Sequence, residues 1–230
     1  MGPVSSRSAG EWRESAAFGL FEALAFAAVF IAGTYNFLPI SHTPYLFLLG
    51  WLMLFVRGKR WRDVGFRWSP DLGSAIVWGA IAGVALSVHE LIVVEPLVRS
   101  FTGSSPDLSL FKELRGNLDA TLTIIALSWL LAAFGEEMVW RGYAMNRVAE
   151  LLGGNSIAWL FSALAVNIVF GIAHDYQDIS GIIVTAIGGL TYAVLYFLGG
   201  RNLALPIVAH GIQNTCDFTF MYLGGILPGL

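Results

Sequence analysis

Charged residues and cysteine are both scarce in this chain of 230 residues. Asp, Glu, Lys and Arg make up 13% of the sequence, whereas hydrophobic residues make up 56%. Soluble domains carry roughly 25% charged residues, so the composition is that of a membrane protein. The single cysteine, Cys216, excludes an intramolecular disulfide and a thiolate metal cage. We interpret it as a small apolar residue within a helix.

Several common catalytic and binding motifs are also missing. The sequence has no GxSxG nucleophile elbow, no Walker loop and no glycine-rich dinucleotide fingerprint. His89 and Glu90 begin the zinc motif HExxH, but Val93 stands where the second histidine is required. Hydrolysis by these standard arrangements is therefore not indicated, and a functional site must be sought among other polar residues.

Long apolar runs dominate the sequence instead. A bilayer core requires about 20 apolar residues per helix, and this length predicts spans near residues 16–35, 38–56, 73–94, 120–139, 156–174, 180–198 and 203–223. Small residues at 79–83 and the pair Gly188 and Gly189 predict close helix contacts. We therefore predict an all-α fold, a polytopic transmembrane bundle of about seven or eight helices with an intramembrane polar cavity. Residues 1–230 form a single integral-membrane domain in this prediction, with a polar cytoplasmic amino terminus at 1–15.

Basic residues predict the orientation of the bundle. Five Lys and Arg residues lie between Arg57 and Arg67, and the positive-inside rule places such a loop in the cytoplasm. Threading seven spans from this loop leaves only Arg99, Lys112 and Arg115 on the opposite side. We expect a cytoplasmic amino terminus and, from the brief loops, a bacterial cytoplasmic membrane. Basic residues beside spans set topology, so the lipid bilayer is the expected partner and nucleic acid is not.

An adjacent glutamate pair lies at the end of the fourth apolar run. Carboxylates beside hydrocarbon are costly and usually face a bundle interior. On an α-helix, Glu137 and Arg141 lie one turn apart and can form an ion pair, whereas Glu136 points about 100° away. A carboxyl group in an apolar setting is a candidate general base. We predict that Glu136 reacts while Glu137 and Arg141 hold the helix, the alternative being a charge cluster at the membrane interface.

Two histidines and an asparagine interrupt later apolar runs. Phe170 and His174 are one helical turn apart, as are His210 and Asn214. His174 alone could be an interfacial residue, and His210 with Asn214 could form a hydrogen bond between helices. Together with Glu136, these side chains could polarise a carbonyl or bind a metal. His174 reaches the height of Glu136 only if residues 141–152 continue the helix that carries Glu136.

At these residues the chain resembles the CPBP intramembrane peptidases, which include CAAX prenyl proteases and the bacteriocin-related Abi-type proteins. The family's hallmarks are Glu-Glu-x-x-x-Arg, Phe-x-x-x-His and His-x-x-x-Asn or Asp on successive membrane helices. Residues 120–220 would form the family-like catalytic core. The resemblance implies that Glu136 activates water with His174, and that His210 and Asn214 stabilise an oxyanion, with Glu137, Arg141 and Phe170 in support.

The resemblance predicts a membrane-embedded endopeptidase that acts on a membrane-associated protein or peptide. Eukaryotic members trim the last three residues from prenylated proteins, and many bacterial members are linked to bacteriocin maturation or immunity, so both substrate classes stay open. No cofactor is assigned; if zinc is bound, its ligands would be Glu136, His174 and His210. The alternative function is a non-proteolytic binding, scaffold or immunity protein of the same fold.

Overall fold

A computed structural model describes residues 11–67 and 72–225 of the chain, so most of the predicted amino-terminal segment lies outside the described residues. Short helical turns lie at Glu11–Glu14, Trp61–Val64, Ser109–Leu114 and Asp175–Gln177. The long helices in this part of the chain are α1 (Ala16–Thr34), α2 (His42–Val56), α3 (Leu72–Thr102), α4 (Leu118–Leu151), α5 (Ser156–Ile172), α6 (Asp178–Leu198) and α7 (Ala204–Tyr222). The predicted all-α fold is confirmed.

The helices differ in how well they suit a bilayer. Within residues 11–67 and 72–225, four helical segments are long and apolar enough to cross a membrane: Ala16–Thr34, Leu72–Thr102, Leu118–Leu151 and Asp175–Leu198. Helices α2 and α5 are apolar but shorter. Helix α7 has 19 residues, and a stripe of polar side chains along it lowers its hydropathy. The polytopic helical bundle is as predicted, and it makes this an integral-membrane protein.

Two helices extend well beyond their predicted ends. Helix α3 was predicted to end at residue 94 and reaches Thr102, while α4 was predicted to end at residue 139 and reaches Leu151. The predicted span was shorter than α4 because it covered only the roughly 20 residues that a bilayer core requires. Arg141 and Arg147 are buried and paired inside the bundle. The condition that residues beyond Arg141 continue the helix is met up to Leu151, with Leu152 at the C-cap.

Helix α4 departs from regular α geometry where the glutamates lie. Between Trp129 and Ala144 it is a π-helix, and the Met145 N–H bonds to Trp140 O five residues earlier. A second π-helical turn at Glu90–Val94 lies in α3. Such segments are rare and frequently mark functional sites. A π-helix has more residues per turn than an α-helix, so the angle between Glu136 and Glu137 is smaller than the about 100° expected. The two side chains still point in different directions.

Glycines bring α3 and α7 into close contact. A Cβ on Gly83 would lie 2.5 Å from Ala209 O, and one on Gly79 would lie 2.7 Å from Val208 Cβ. No larger residue fits either position without moving a helix, so the small-residue patch at 79–83 packs as predicted. At these glycines α3 meets the side of α7 that carries Val208 and Ile212, and further along the same pair of helices Gln213 bonds to Glu90.

Buried polar contacts fix α4 against α1 and α2. Glu22, which is 2% exposed, accepts from Arg147 Nε at 2.5 Å and from the Tyr143 hydroxyl at 3.2 Å. Arg57, at the end of α2, pairs with Glu14 and Glu150 at 2.9 and 2.7 Å. The start of α1 and the ends of α2 and α4 therefore meet at one end of the bundle.

Candidate active site

The predicted site residues surround one large cavity. Its volume is about 1040 Å³, and α3, α4, α6, α7 and the turn after α5 all contribute to its wall. Glu136, His174, His210 and Asn214 all line it, and so does Phe170. Residues that are far apart in the sequence thus share one space, which is the arrangement that the sequence motifs predicted. Glu137 and Arg141 lie behind the wall and are fully buried.

Glu137 is the centre of a buried hydrogen-bond network. Its Oε1 accepts from Arg141 Nη1 at 2.8 Å, so the predicted ion pair is present. The same oxygen lies 3.0 Å from His210 Nδ1, a contact that the sequence did not predict. A buried ion pair is stable only when further hydrogen bonds satisfy its charges. Glu137 therefore connects Arg141, on its own helix, to the imidazole of His210 on α7.

Arg141 is held by partners on two other helices. Its Nη2 donates to Asn167 Oδ1 at 2.8 Å and to Gly189 O at 2.9 Å. The guanidinium lies over the Phe170 ring at 4.5 Å and over the Tyr192 ring at 5.3 Å. Stacking on aromatic faces suits a weakly hydrated guanidinium. Arg141 thus binds α4 to α5 and α6 behind the cavity.

Glu136 has a very different environment from Glu137. In residues 11–67 and 72–225 it makes no hydrogen bond and no ion pair, and its Oε2 is buried without a partner. The carboxyl group lines the cavity. Glu137 Oε2 is also buried without a partner, but Glu137 Oε1 bonds to Arg141 and lies beside His210, whereas neither oxygen of Glu136 has a partner in the described ranges. The two adjacent glutamates therefore differ: Glu137 is bonded to Arg141, whereas Glu136 is uncommitted, in the sense that its carboxyl group has no hydrogen-bond partner in the described ranges.

His174 has a defined tautomer. Its Nδ1 lies 3.0 Å from the Phe170 carbonyl oxygen, which can only accept, so Nδ1 carries the proton. In the neutral ring, Nε2 therefore has the free lone pair and is the basic nitrogen. The Phe170 ring packs edge-on against the imidazole at 5.0 Å. Phe170 thus supports both His174 and Arg141, which explains its position one turn before the histidine.

His210 is held on its edge and on one face. Glu137 engages Nδ1, and the Tyr192 ring stacks on the imidazole at 4.5 Å with an interplanar angle of 15°. Asn214, one turn further along α7, lines the same cavity. The imidazole Nε2 has no partner in the described part of the chain, so an imidazole nitrogen and an amide remain for a ligand.

The proposed zinc ligands do not form a metal site in this arrangement. Within the two described ranges, no three His, Cys, Asp or Glu side chains form a group that could hold a metal ion. The bonds that Nδ1 of His210 and of His174 make to Glu137 and to a carbonyl are ones that zinc-ligating histidines also make, so the test is whether the side chains converge. Zinc requires its ligands to converge at about 2 Å around one point. Glu136, His174 and His210 share a cavity without meeting this requirement.

The structure adds residues that the motifs did not identify. Tyr192 stacks on His210, Asn167 binds Arg141, and Gln213 donates to Glu90 Oε2 at 2.9 Å. Gln213 lies three residues after His210, so helical spacing could have revealed it. Tyr192 and Asn167 lie in apolar runs on other helices, and nothing in the sequence connects them to Glu137 or His210.

One family model matches the region that contains this site. Residues 118–216 match the model described as type II CAAX prenyl endopeptidase Rce1-like. The match begins at the start of α4 and ends within α7, so it includes Glu136, His174, His210 and Asn214. No match to this chain was found among the curated proteins or the solved structures. The family is one of membrane proteases.

Proposed function

We propose that this chain is an intramembrane peptidase of the CPBP type, which its match to the Rce1-like family model at residues 118–216 supports, and that it hydrolyses a peptide bond of a membrane-associated protein or peptide. The observation that carries the proposal is the uncommitted carboxyl group of Glu136 on the wall of a cavity shared with two histidines and an amide. A scaffold or immunity protein would have no need for an unpartnered buried carboxylate.

In the proposed reaction, Glu136 acts as the general base. It removes a proton from a water molecule in the cavity, and the resulting hydroxide attacks the carbonyl carbon of the scissile bond. His174 assists by accepting a hydrogen bond from this water at Nε2, the nitrogen left free by the bond between Nδ1 and Phe170 O. The proton held by Glu136 then passes to the departing amine as the C–N bond breaks.

His210 and Asn214 stabilise the oxyanion in this proposal. The amide of Asn214 donates through Nδ2, and His210 donates through Nε2 when its ring is protonated. Glu137 accepts from Nδ1 and so compensates the positive charge on the ring. Removal of one such donor typically costs 10²–10³-fold in kcat, or about 3–4 kcal/mol. No step in this scheme passes through a metal.

The charge of the cavity bears on the substrate. Among the described lining residues there is no Lys or Arg, whereas the lining carboxyl groups are Glu90, Glu95, Glu136, Asp175 and Asp217. A free C-terminal carboxylate beside the scissile bond would find few cationic partners there. We therefore propose that the enzyme cuts within a peptide segment at least as readily as near a free C-terminus.

Cleavage in detergent tests the function. The probes are a farnesylated CAAX peptide and a peptide with a hydrophobic anchor in place of the prenyl group, each made with a free and with an amidated C-terminus. We expect the wild type to cleave at least one probe, the amide no slower than the acid, and Glu136→Gln and His174→Ala to lose activity. Equal rates for all three proteins would refute the peptidase, and a loss with chelator that zinc restores would refute the metal-free scheme.

The positive-inside pattern supports an inner-membrane orientation with a cytoplasmic amino terminus, as in bacteria. Glu14, Arg57 and Glu150 meet at one end of the bundle, which would then be the cytoplasmic end. A cysteine introduced at Lys59 should react with a membrane-impermeant reagent only after cells are opened. Labelling of intact cells at this position would reverse the topology.

A further inference from the structure

The face of the His210 ring rests on a residue that is itself anchored. The Tyr192 hydroxyl donates to Gln213 Oε1 at 2.7 Å, and Gln213 Nε2 donates to Glu90 Oε2 at 2.9 Å. Tyr192 and Gln213 are largely buried, which strengthens these bonds, although both residues also line the cavity. Both ends of the Gln213 amide are used, one as acceptor and one as donor, which fixes its orientation. A continuous chain of contacts therefore leads from α3 to the imidazole.

This chain of contacts determines where His210 Nε2 points. The bond between Nδ1 and Glu137 fixes one edge of the ring but leaves it free to swing about that contact. The Tyr192 ring, stacked at 4.5 Å, limits that swing. The Arg141 guanidinium lies over the Tyr192 ring at 5.3 Å, and the bond to Gln213 fixes the hydroxyl end of Tyr192. A substitution of Glu90 should therefore change the direction of His210 Nε2 although Glu90 and His210 are not in direct contact.

We propose that Glu90 is a positioning residue for His210, acting through Gln213 and Tyr192. This rests on the peptidase function proposed above, because His210 is there a donor to the oxyanion. A misplacement of about 1 Å can cost about 10²-fold in rate. Glu90 also lines the cavity, so direct contact with substrate is the competing role, and the two roles differ in their kinetics.

Steady-state kinetics with the cleaved probe peptide separates these roles. Glu90→Leu removes the acceptor for Gln213, whereas the matched control Glu90→Gln keeps an acceptor oxygen at the same place. We expect Glu90→Leu to lower kcat about tenfold or more with KM unchanged, and Glu90→Gln to stay close to the wild type. A rise in KM with kcat unchanged, or no effect on either constant, would overturn the proposal.

A double-mutant cycle tests whether the effect passes through Tyr192. Tyr192→Phe keeps the stacked ring but removes the hydroxyl that binds Gln213. In that background Glu90→Leu should cost little further, because the chain of contacts is already broken. Full additivity of the two effects would show that Glu90 acts by another route and would overturn the proposal.

Proton NMR of the histidine rings gives a readout that needs no proteolysis. Stacking on Tyr192 should shift the ring protons of His210 upfield, and the His210→Gln spectrum identifies their signals. We expect Glu90→Leu, and not Glu90→Gln, to reduce this shift. If the wild type cleaves neither probe, the peptidase proposal fails while this measurement still decides the positioning. An unchanged His210 shift in Glu90→Leu would overturn the positioning role.

Discussion

Two neighbouring glycines on α6 should respond in opposite ways to the same substitution. A Cβ on Gly189 would lie 2.7 Å from Asn167 Oδ1, 2.8 Å from Phe170 Cδ1 and 2.9 Å from Arg141 Nη2. A Cβ on Gly188 would have nothing within 4 Å. Both residues lie inside the helix Asp178–Leu198, so the change in helix propensity is the same for both. The pair therefore isolates the buried contacts of Arg141.

The expected magnitudes follow from these distances. Replacing Gly by Ala inside a helix gains up to about 1 kcal/mol, and Gly188→Ala should show this gain alone. At Gly189 the added methyl overpacks a filled site, which costs about 1–3 kcal/mol. It also displaces Arg141 Nη2 from its bond to Asn167, and bonds to charged groups contribute about 1.5–3 kcal/mol each. We expect a net destabilisation of about 2–4 kcal/mol for Gly189→Ala.

Thermal unfolding in one detergent at one scan rate measures the difference. For a domain of this size, 1 kcal/mol shifts Tm by about 2–4 °C, so the two variants should differ by about 10 °C. Gly188→Ala should equal or exceed the wild type in Tm. Equal Tm values for the two variants, or a larger loss at Gly188, would refute the packing of Arg141 against α6.

Three further predictions concern other contacts that build the site. Gly83→Ala should lower Tm because the added Cβ would lie 2.5 Å from Ala209 O. Gly73→Ala, whose Cβ would have open space around it, should leave Tm unchanged. Equal Tm values for the two variants would argue against the close contact of α3 with α7. Glu22→Gln should cost up to about 3–5 kcal/mol, because it leaves the buried Arg147 with only the partly exposed Glu150, 3.5 Å away, as a counter-charge. Lys59→Met, at a partly exposed pair, should cost under about 1 kcal/mol, and similar losses for the two variants would contradict the burial of the first pair. Gly65→Ala should lower Tm because φ is 110° and its Cβ would lie 2.7 Å from Arg201 O; an unchanged Tm would contradict that backbone conformation.

Periodicity and hydropathy predicted the helices well, because each span must bury its own backbone hydrogen bonds in lipid. The same reasoning failed at the ends of α3 and α4. A charged residue marks the end of a span only if it faces water or lipid, and Arg141 and Arg147 face partners instead. Apart from Glu137 on the same helix, these partners come from α1, α5 and α6, and a single-sequence pattern cannot identify contacts between helices.

For the site, helical spacing identified the pairing of Glu137 with Arg141, and the motifs identified the residues around the cavity. The spacing could not show that Glu137 also contacts His210, because that contact depends on how α7 packs on α4. It also could not find Tyr192, an aromatic residue in an apolar run. Contacts within one helix were predictable, and contacts between helices were not.

The central claim is that Glu136 reacts while Glu137 holds the site together. The most direct measurement compares Glu136→Gln with Glu137→Gln in both peptide cleavage and thermal unfolding. We predict that Glu136→Gln loses about 10²–10⁴-fold in cleavage rate with an unchanged Tm. Glu137→Gln should lower both the cleavage rate and Tm, because Arg141 is left without its carboxylate partner at a cost of about 3–5 kcal/mol. Cleavage by Glu136→Gln at the wild-type rate, or a stable and active Glu137→Gln, would contradict this division.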